Sequence, residues 1–537
     1  MLLWTFLSLI FPLYDTDFWW HLKTGEWMLA EGWVPQIDLF TFMDSDRPWI
    51  DLHWGFQLLI TWLYHTGGPD LVILFKATVL TLAVGVAFFA TGEGWSLERR
   101  VLCWIPGIIC ITGRGFERPE ILSLLFLAIW LWIAFHVDRR PKLIWLLPPL
   151  QIVWVNCHAL FVLGLVVALC GVADWLGRAL LGGWFGIRPL QDSELATLRS
   201  RAIAGVGAIA ASLVNPYFEE GALFPLTLYE KFSVEQAFYS QQVGEFMPPW
   251  DFLMRYRLFA FRNIFFAAEC VVAVIAAYSL YRQWRRGGGV SLFRLALLVA
   301  FGHLAWKANR NTNLFALVAT TVACANFSAA ALARGRQTVS TFRGRLVVGT
   351  ALGILCCAVV TGVWNQIGEG KKPFRLGVTP DWYIHEAAKF AGQEGMPELA
   401  IVHNFGQAAV YEYHNGPNRR VLMDGRLEVC SRRTFEILNG IVARMSAGRP
   451  DWQALFTESK KPLPVVILDT DFSGFAILGM LETPGWRLVY ADATAGVFLS
   501  DPQADALQLP AAPVEAREVM MKKLKPYVEA IQQQRGR

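Results

Sequence analysis

Carboxylate and imidazole side chains are concentrated between residues 15 and 54, directly after a short apolar segment. They are Asp15, Asp17, His21, Asp38, Asp51 and His53. Groups of these two types act as general bases or hold a substrate hydroxyl in place. The same stretch carries six tryptophans, whose amphipathic rings settle at the level of lipid headgroups. The combination predicts an active-site loop at a membrane surface.

Local signals predict one short interfacial helix in this loop, over residues 17–31. Thr16 or Asp17 would be its N-cap, and Gly32 is a natural C-terminal stop. Asp17 and His21 are four residues apart and would share a face of this helix. Acidic residues at a helix start are also ordinary caps, so either aspartate taken alone has a structural explanation.

The composition indicates a polytopic membrane protein. Of 537 residues, 54% are hydrophobic and only 17% are charged, whereas soluble domains carry about a quarter charged residues. The formal net charge of +4 is small, and the basic residues are spread over many loops, which argues against a nucleic-acid binder. The nine cysteines show neither a disulfide framework nor a zinc spacing.

Apolar runs predict about eleven membrane spans. The first is an uncleaved helix within residues 1–13, and the others lie at about 70–92, 99–113, 119–137, 142–156, 159–181, 201–214, 262–283, 290–306, 312–333 and 345–364. Alternate loops carry basic residues such as Arg99, Arg139 and Arg282, which places those loops and the N-terminus in the cytoplasm.

The opposite set of loops carries groups able to do chemistry. Besides the first loop, 14–54, it contains a long loop, 215–261, and the residues Glu117, Arg118, Glu120, Asn156, His158, Asn215, Lys307 and Arg310. Polar groups at membrane depth are costly and usually functional. For any single corner a solvated turn remains the better explanation, but that explanation does not account for the whole pattern.

Residues beyond about 364 have the composition of a soluble α/β domain. We expect a linker at 365–380, the α/β domain at 381–503 and a tail at 504–537 with a charged amphipathic helix. Strands are predicted at 399–405, 419–425, 464–469, 486–492 and 495–500, and helices at 381–394, 431–444, 451–458 and 472–484; their alternation predicts a small, mainly parallel sheet. Asp424 and Arg426 are the preferred candidates if a site exists there, although turn and cap roles are the better explanation for them. An odd number of spans places this domain outside the cytoplasm.

Several motifs resemble those of the GT-C glycosyltransferase superfamily. The run D-x-D-F-W-W-H-L-x-x-G-x-W from Asp15, with R-P-W-I-D-x-H-W from Arg47, is similar to the first extracytoplasmic loop of bacterial membrane proteins related to that superfamily. RPEILSLLFLAIWLWI from Arg118 resembles the helix start where the second acidic residue of the superfamily stands. The chain departs from many relatives by having Asp-Thr-Asp where they have two adjacent acids, and Glu120 as its second acid.

The resemblance implies transfer of a sugar from a polyprenyl-phosphate carrier to a lipid, glycan or protein acceptor at the outer face of a bacterial inner membrane. Asp15, Asp17 and Glu120 would be catalytic, with Asp15 or Asp17 as general base. Substrate-binding roles would fall to His21, Asp51, His53, Glu117, Arg118, Asn156, His158, Asn215, Lys307 and Arg310. A divalent cation is compatible with the acidic residues, and nothing in the sequence requires one. The alternatives are a non-catalytic component of envelope polysaccharide assembly or export and, with less support, a transporter.

Overall fold

The computed structural model describes residues 1–43, 47–184, 187, 189–255, 264–286, 289–335, 338–367 and 372–535. The chain forms two compact units. The apolar unit comprises residues 1–13 and 63–377, and the α/β unit comprises residues 14–62 and 378–537. Parts of the predicted loop 215–261, of the predicted span 262–283 and of the predicted linker 365–380 lie outside the described residues, at 256–263 and 368–371.

The apolar unit is helical throughout its described part. Its α-helices are Leu2–Ser8, the part of Trp54–Phe89 from residue 63 onward, Leu97–Gly113, Glu120–His136, Leu147–Val155, Val162–Leu181, Asp192–Ala211, Phe218–Val234, Gln236–Gln242, Pro249–Arg255, Ile264–Arg285, Leu292–Lys307, Thr312–Leu332, Phe342–Val360 and Val363–Ile367. Single 3-10 turns precede or join them at Pro141–Leu146, Ala159–Phe161, Gly244–Phe246 and Asn309–Asn311.

Five helical stretches among the described residues are long and apolar enough to cross a membrane. They are Trp54–Phe89, Ala159–Leu181, Ile264–Arg285, Asn309–Leu332 and Phe342–Val360, with two shorter apolar helices at Glu120–His136 and Pro141–Val155. Each predicted apolar run overlaps a helix among the described residues, but the total of about eleven spans stays a prediction. The helix Trp54–Phe89 is interrupted at Gly67 and Gly68, just before Pro69, because proline removes a helical hydrogen bond and glycine tolerates the φ of 64° found at Gly68.

The helix Thr312–Leu332 is the core of the apolar unit, and most of its side chains are buried. It packs against Leu97–Gly113 and Ile264–Arg285. Small residues permit this close approach: a Cβ atom at Gly107 would lie 2.5 Å from Thr320 Oγ1. Polar residues at the start of this central helix are therefore held in a fixed place.

The α/β unit contains a five-stranded sheet. Its strands are β1 Leu399–Val402, β2 Arg420–Val421, β3 Val465–Asp469, β4 Trp486–Ala491 and β5 Ala495–Ser500, in the order β2-β1-β3-β5-β4. Its helices are Asp17–Glu31, the first residues of Trp54–Phe89, His385–Ala391, Phe405–Asn415, Arg432–Ser446, Ala454–Glu458, Gly474–Glu482, Asp501–Ala506 and Val514–Arg535, with a 3-10 turn at Pro450–Gln453.

The sheet is mixed, so the prediction of a mainly parallel sheet was wrong. β1 runs parallel to β2 and to β3, but β5 is antiparallel to both β3 and β4. Only three residues connect β4 to β5, and a parallel crossover needs a dozen or more. The Asp492 carboxylate closes this hairpin by accepting hydrogen bonds from the backbone N–H groups of Thr494 and Ala495.

Residues 40–42 extend the sheet at its β2 edge. The Phe42 N–H donates to the Val421 carbonyl at 3.0 Å, and the Val421 N–H donates to the Phe40 carbonyl at 2.8 Å. Residues 14–54, which were predicted to be an extracytoplasmic loop of the membrane domain, pack with the C-terminal α/β fold in the structure. The physical reason is that β2 is an edge strand whose free backbone groups need partners.

The helix Asp17–Glu31 matches the predicted interfacial helix. Its N-cap is Thr16, and Gly32 ends it in the left-handed conformation with φ of 81°. The helix Phe405–Asn415 was not predicted. Its N-terminal signal is Asn404, whose side chain accepts a hydrogen bond from the Gly406 N–H.

Candidate functional site

Three arginines and two glutamates form a cluster in the apolar unit. Arg118 Nη1 lies 3.1 Å from Glu245 Oε2, Arg114 Nη1 lies 3.6 Å from Glu245 Oε1, and Arg114 Nη2 lies 3.5 Å from Glu120 Oε2. Arg310 completes the cluster, with its guanidinium carbon 5.0 Å from the centre of the Phe246 ring. The cluster therefore holds one more guanidinium group than carboxylates.

Helix ends position these side chains. Arg114 is the C-cap of Leu97–Gly113, and Glu120 is the first residue of the next helix. Asn313, near the start of the buried central helix, donates a hydrogen bond to Glu120 Oε1. Glu245 lies in the short 3-10 turn Gly244–Phe246.

The electrostatics of the cluster favour an ionised Glu245. Burial by itself would raise the pKa of Glu245, but three neighbouring guanidinium groups, led by Arg118, lower it below its usual value. The cluster carries one more guanidinium group than carboxyl groups, an arrangement suited to binding an anion. Phosphate suits it, since guanidinium binds phosphate oxygens in a bidentate way. Arg118, Glu120 and Arg310 were given site roles from the sequence, whereas Arg114 and Glu245 were not.

The apolar unit contains a second, fully buried ion pair. Lys76 Nζ is 2.6 Å from Glu117 Oε1, and neither side chain is exposed. The ammonium group also lies 3.4 Å from the centre of the Phe11 ring. Lys76 was missed, although a lone lysine inside the run LVILFKATVL is a clear signal, because charged groups at membrane depth are rare.

The other predicted polar corners of this unit have local hydrogen bonds. Asn156 donates to the Ile152 and Val214 carbonyls, both at 2.7 Å, and Asn215 donates to the Ser212 and Phe218 carbonyls. His158 Nδ1 lies 2.8 Å from Ser123 Oγ. Lys307 Nζ donates to Gln236 Oε1 at 3.3 Å. These contacts fix turns and helix ends, and a substrate-binding role for the four residues stays a prediction.

In the α/β unit, Arg426 lies at the centre of a fully buried cluster. Its Nη2 atom is 2.5 Å from both Asp38 Oδ1 and Asp424 Oδ2, and its Nε donates to Asp424 Oδ2 at 2.8 Å. Its guanidinium carbon lies 4.5 Å from the centre of the Trp49 ring and 4.9 Å from that of Phe40. Arg426 thus joins the N-terminal segment to the end of β2.

The pKa shifts in this cluster follow from burial and charge. Burial opposes the ionised form of Asp38, but Arg426 and the Thr41 hydroxyl stabilise it, so the pKa of Asp38 is lowered. Burial, and then the Asp424 carboxylate, raise the pKa of Glu412 well above its usual value. The predicted site pair Asp424 and Arg426 is therefore part of a buried network that includes Asp38 and Glu412.

Thr16 and Asp17 lie against the segments that follow the carboxyl ends of β1 and β2 within the α/β unit. A Cβ atom at Gly425, just after β2, would lie 2.8 Å from Asp17 Oδ1. One at Gly406, beyond β1, would lie 2.5 Å from Thr16 Oγ1. Asp15 is buried, its Oδ1 accepts a hydrogen bond from the Asp17 N–H, and its carbonyl accepts one from the Tyr383 hydroxyl. Ligands bind at such strand ends in α/β folds.

The remaining residues of the first loop form a connected polar group. Asp51 Oδ1 accepts hydrogen bonds from Gln57 Nε2 at 3.2 Å and from the His53 N–H, and it lies 3.2 Å from His53 Nδ1. Gln57 Nε2 also lies 3.4 Å from His21 Nδ1. The predicted residues His21, Asp51 and His53 are thus brought together, by a glutamine that the sequence did not single out.

Metal ligation was left open by the sequence. In the part of the chain that the structure describes, no three His, Cys, Asp or Glu side chains are arranged to hold a metal ion.

The chain resembles known proteins in its three-dimensional fold and not in its sequence. No family model matches the chain, and no curated protein matches it. Among solved structures, it is similar to an oligosaccharyltransferase from Archaeoglobus fulgidus tethered to an acceptor peptide containing the NVT sequon. The two share 12% identity with a TM-score of 0.52, over 93% of this chain and 71% of that chain.

Two other structures of oligosaccharyltransferase from the same archaeon show the same likeness. One, named AglB, is in complex with an inhibitory peptide and a dolichol-phosphate, with 12% identity, a TM-score of 0.50 and coverage of 91% and 71% of the two chains. The other is a complex with Zn and sulfate, with 12% identity, a TM-score of 0.51 and coverage of 93% and 73%. The chain therefore shares the fold of these oligosaccharyltransferase structures, and five of its described helices are long and apolar enough to cross a membrane.

Proposed function

We propose that the chain is an integral membrane glycosyltransferase that moves a sugar from a polyprenyl-phosphate carrier to an acceptor at the extracytoplasmic face. The observation that carries the proposal is the cluster of Arg114, Arg118 and Arg310 around two glutamates, in a unit built of apolar helices. Guanidinium groups bind phosphate oxygens, and an isoprenoid tail is compatible with apolar helices. A phosphate on an isoprenoid chain therefore fits both features of the cluster.

A transfer of this kind needs a carboxylate that takes the proton of the acceptor hydroxyl as its oxygen attacks the anomeric carbon. It also needs cations that bind the phosphate, which leaves with the bonding electrons of the broken sugar–oxygen bond, and the arginine cluster is suited to that part. The carrier keeps its phosphate, and the acceptor gains the sugar.

Asp17 suits the role of base better than Asp15. The Asp15 carboxylate is buried and caps the Asp17 N–H, which is a structural task. Asp17 is half-buried at the carboxyl ends of the parallel strands. We therefore assign Asp17 as the base and Asp15 as the residue that supports it.

Single substitutions test the proposal. Asp17→Asn should lower transfer of label from radiolabelled undecaprenyl-phosphate mannose or glucose to membrane acceptors by at least about a hundredfold, while Asp15→Asn should reduce it less. Asp381→Asn is the matched control, because Asp381 is exposed and has a φ of 51°, which asparagine tolerates. Full transfer by the Asp17→Asn protein would eliminate the proposed base. Binding of the lipid-linked sugar without any transfer by the wild type would favour the non-catalytic envelope component instead.

A further inference from the structure

Two glycines of the α/β unit lie directly beneath the Thr16–Asp17 peptide. Gly425 follows β2 and faces the Asp17 carboxylate, and Gly406 lies beyond β1 and faces the Thr16 hydroxyl. Neither glycine has a left-handed φ, so backbone conformation does not require glycine at these positions. The requirement is space, since a methyl group at either position would overlap the facing side chain.

The floor on which Asp17 rests is rigid. Gly425 lies between Asp424 and Arg426, whose side chains are both buried and ion-paired to each other. Arg426 is also tied to Asp38, and the Arg426 N–H donates to Asp424 Oδ1 at 2.8 Å. Moving the Gly425 backbone would break these buried charge contacts, which is costly.

The helix that carries Asp17 is fixed as well. Asp17 is its first residue, and Phe18, Trp19 and Trp20 are buried directly after it. With both backbones held, an added methyl group at Gly425 would turn the Asp17 side chain into another rotamer. The carboxylate would then leave its place although the fold stays intact.

We infer that Gly425 is a positioning residue: the space that it leaves beyond the carboxyl end of β2 sets where the Asp17 carboxylate points. Gly406, beyond β1, leaves room for Thr16, so the two glycines together form a seat for the Thr16–Asp17 peptide. This gives the α/β unit a task in the reaction, namely to hold the base. The inference rests on the proposed function, because it names the device that orients the residue assigned there as general base.

The first experiment is Gly425→Ala, measured as transfer from radiolabelled undecaprenyl-phosphate mannose or glucose. We expect kcat to fall by at least about tenfold with KM within about twofold of wild type, because a base displaced by about 1 Å loses rate and not ground-state binding. Gly440→Ala is the matched control and should leave both constants unchanged, since a Cβ there meets only the flexible end of Arg444.

A double-mutant comparison separates positioning from general damage. In an Asp17→Asn background, Gly425→Ala should cause no further loss of the residual rate, because the group that it displaces is already disabled. A further loss of the same size would overturn the seat. Full transfer by Asp17→Asn alone would overturn the proposed function, whereas loss in Asp17→Asn with a wild-type kcat in Gly425→Ala would overturn the seat alone.

A crosslink tests the geometry without any activity. A Cβ atom at Gly425 would lie 3.8 Å from Asp17 Cγ. The Cγ atom stands where the Sγ atom of a cysteine at position 17 would lie, so a cysteine at position 425 is within reach of it for a disulfide bond. The Asp17→Cys/Gly425→Cys protein should form this bond on mild oxidation, seen after proteolysis as two fragments joined until reduced. Asp17→Cys/Gly440→Cys should not form it. Absence of the first crosslink would show that Asp17 does not rest on Gly425.

Discussion

Arg426 and Asp38 form an ion pair in which neither side chain is exposed, with 2.5 Å between Nη2 and Oδ1. The two residues are 388 positions apart in the chain. Together with the pairing of residues 40–42 to Val421, this contact makes the segment after the helix Asp17–Glu31 an integral part of the C-terminal α/β fold. Loss of Arg426 should therefore disturb the α/β unit, which is built from residues 14–62 and 378–537.

Replacing Arg426 by methionine should strongly destabilise the α/β unit. The Asp38 and Asp424 carboxylates would remain buried without their cation, which costs about 3–5 kcal/mol in comparable cases. Urea unfolding of the purified full chain, followed by tryptophan fluorescence, measures the loss. Arg449→Met, at an exposed arginine, is the control and should change the free energy of unfolding by less than about 1 kcal/mol. Equal effects of the two substitutions would contradict a structural role for the buried pair.

The pair of Lys76 and Glu117 should behave as a unit. Lys76→Met removes the ammonium group that lies beside a buried carboxylate and should cost about 3–5 kcal/mol, but adding Glu117→Gln should recover much of that loss because the buried negative charge is removed as well. The readout is the melting temperature of the detergent-purified protein, followed by size-exclusion chromatography. If the double variant is as unstable as Lys76→Met, the two side chains do not stabilise each other.

Local signals were sufficient for several elements. The helix Asp17–Glu31 was predictable because its N-cap and Gly32 are both local, and the membrane helices were predictable because apolar runs are long. The antiparallel β4–β5 pair was also predictable in principle, since three residues cannot form a parallel crossover. The alternation of helices and strands in the rest of the domain favoured a parallel sheet, but the short connection between β4 and β5 permits only an antiparallel pair.

Long-range partners were beyond sequence reasoning. Nothing near Asp38 indicates that its cation is Arg426, and nothing near Gly425 indicates that it faces Asp17. In the same way, Glu245 was passed over because its partners Arg114 and Arg118 are more than a hundred residues earlier in the chain. Residue type and spacing identified many of the polar groups, but only the fold shows which of them meet.

The α/β unit should lose stability in mild acid through its histidines. Burial, then the neighbouring His414, lowers the pKa of His385 to about 4, and burial lowers that of His414 to about 4. Unfolded histidine titrates near about 6.5, so the unfolded chain binds more protons between about pH 6.5 and about pH 4. The histidine contribution is complete above that window and is lost as pH falls through it.

Asp469 acts in the opposite direction, because burial raises its pKa to about 6, and its protonation favours the folded chain as pH falls. His385→Gln/His414→Gln should flatten the fall in melting temperature between about pH 6.5 and about pH 4. His303→Gln, at an exposed histidine, should leave the profile unchanged. An unaltered pH profile in the double variant would mean that the histidine pair does not set acid sensitivity.

Arg310 provides the most direct test of lipid-phosphate binding. Among the described residues it has no ion-pair partner, and it lies over the Phe246 ring, so its guanidinium group is the surplus charge of the cluster. A charge-assisted hydrogen bond contributes about 1.5–3 kcal/mol, so Arg310→Met should weaken binding of undecaprenyl phosphate by about tenfold to about a hundredfold. Arg310→Lys should recover only part of the affinity, because an ammonium group cannot bind phosphate in a bidentate way.

Native mass spectrometry of the detergent-purified protein measures the lipid that is bound to the protein with wild-type Arg310 and to each variant. Arg139→Met removes an exposed arginine from another loop and should leave binding unchanged. Wild-type affinity in Arg310→Met would place the phosphate elsewhere, while equal losses in both variants would indicate a general charge effect and not a site.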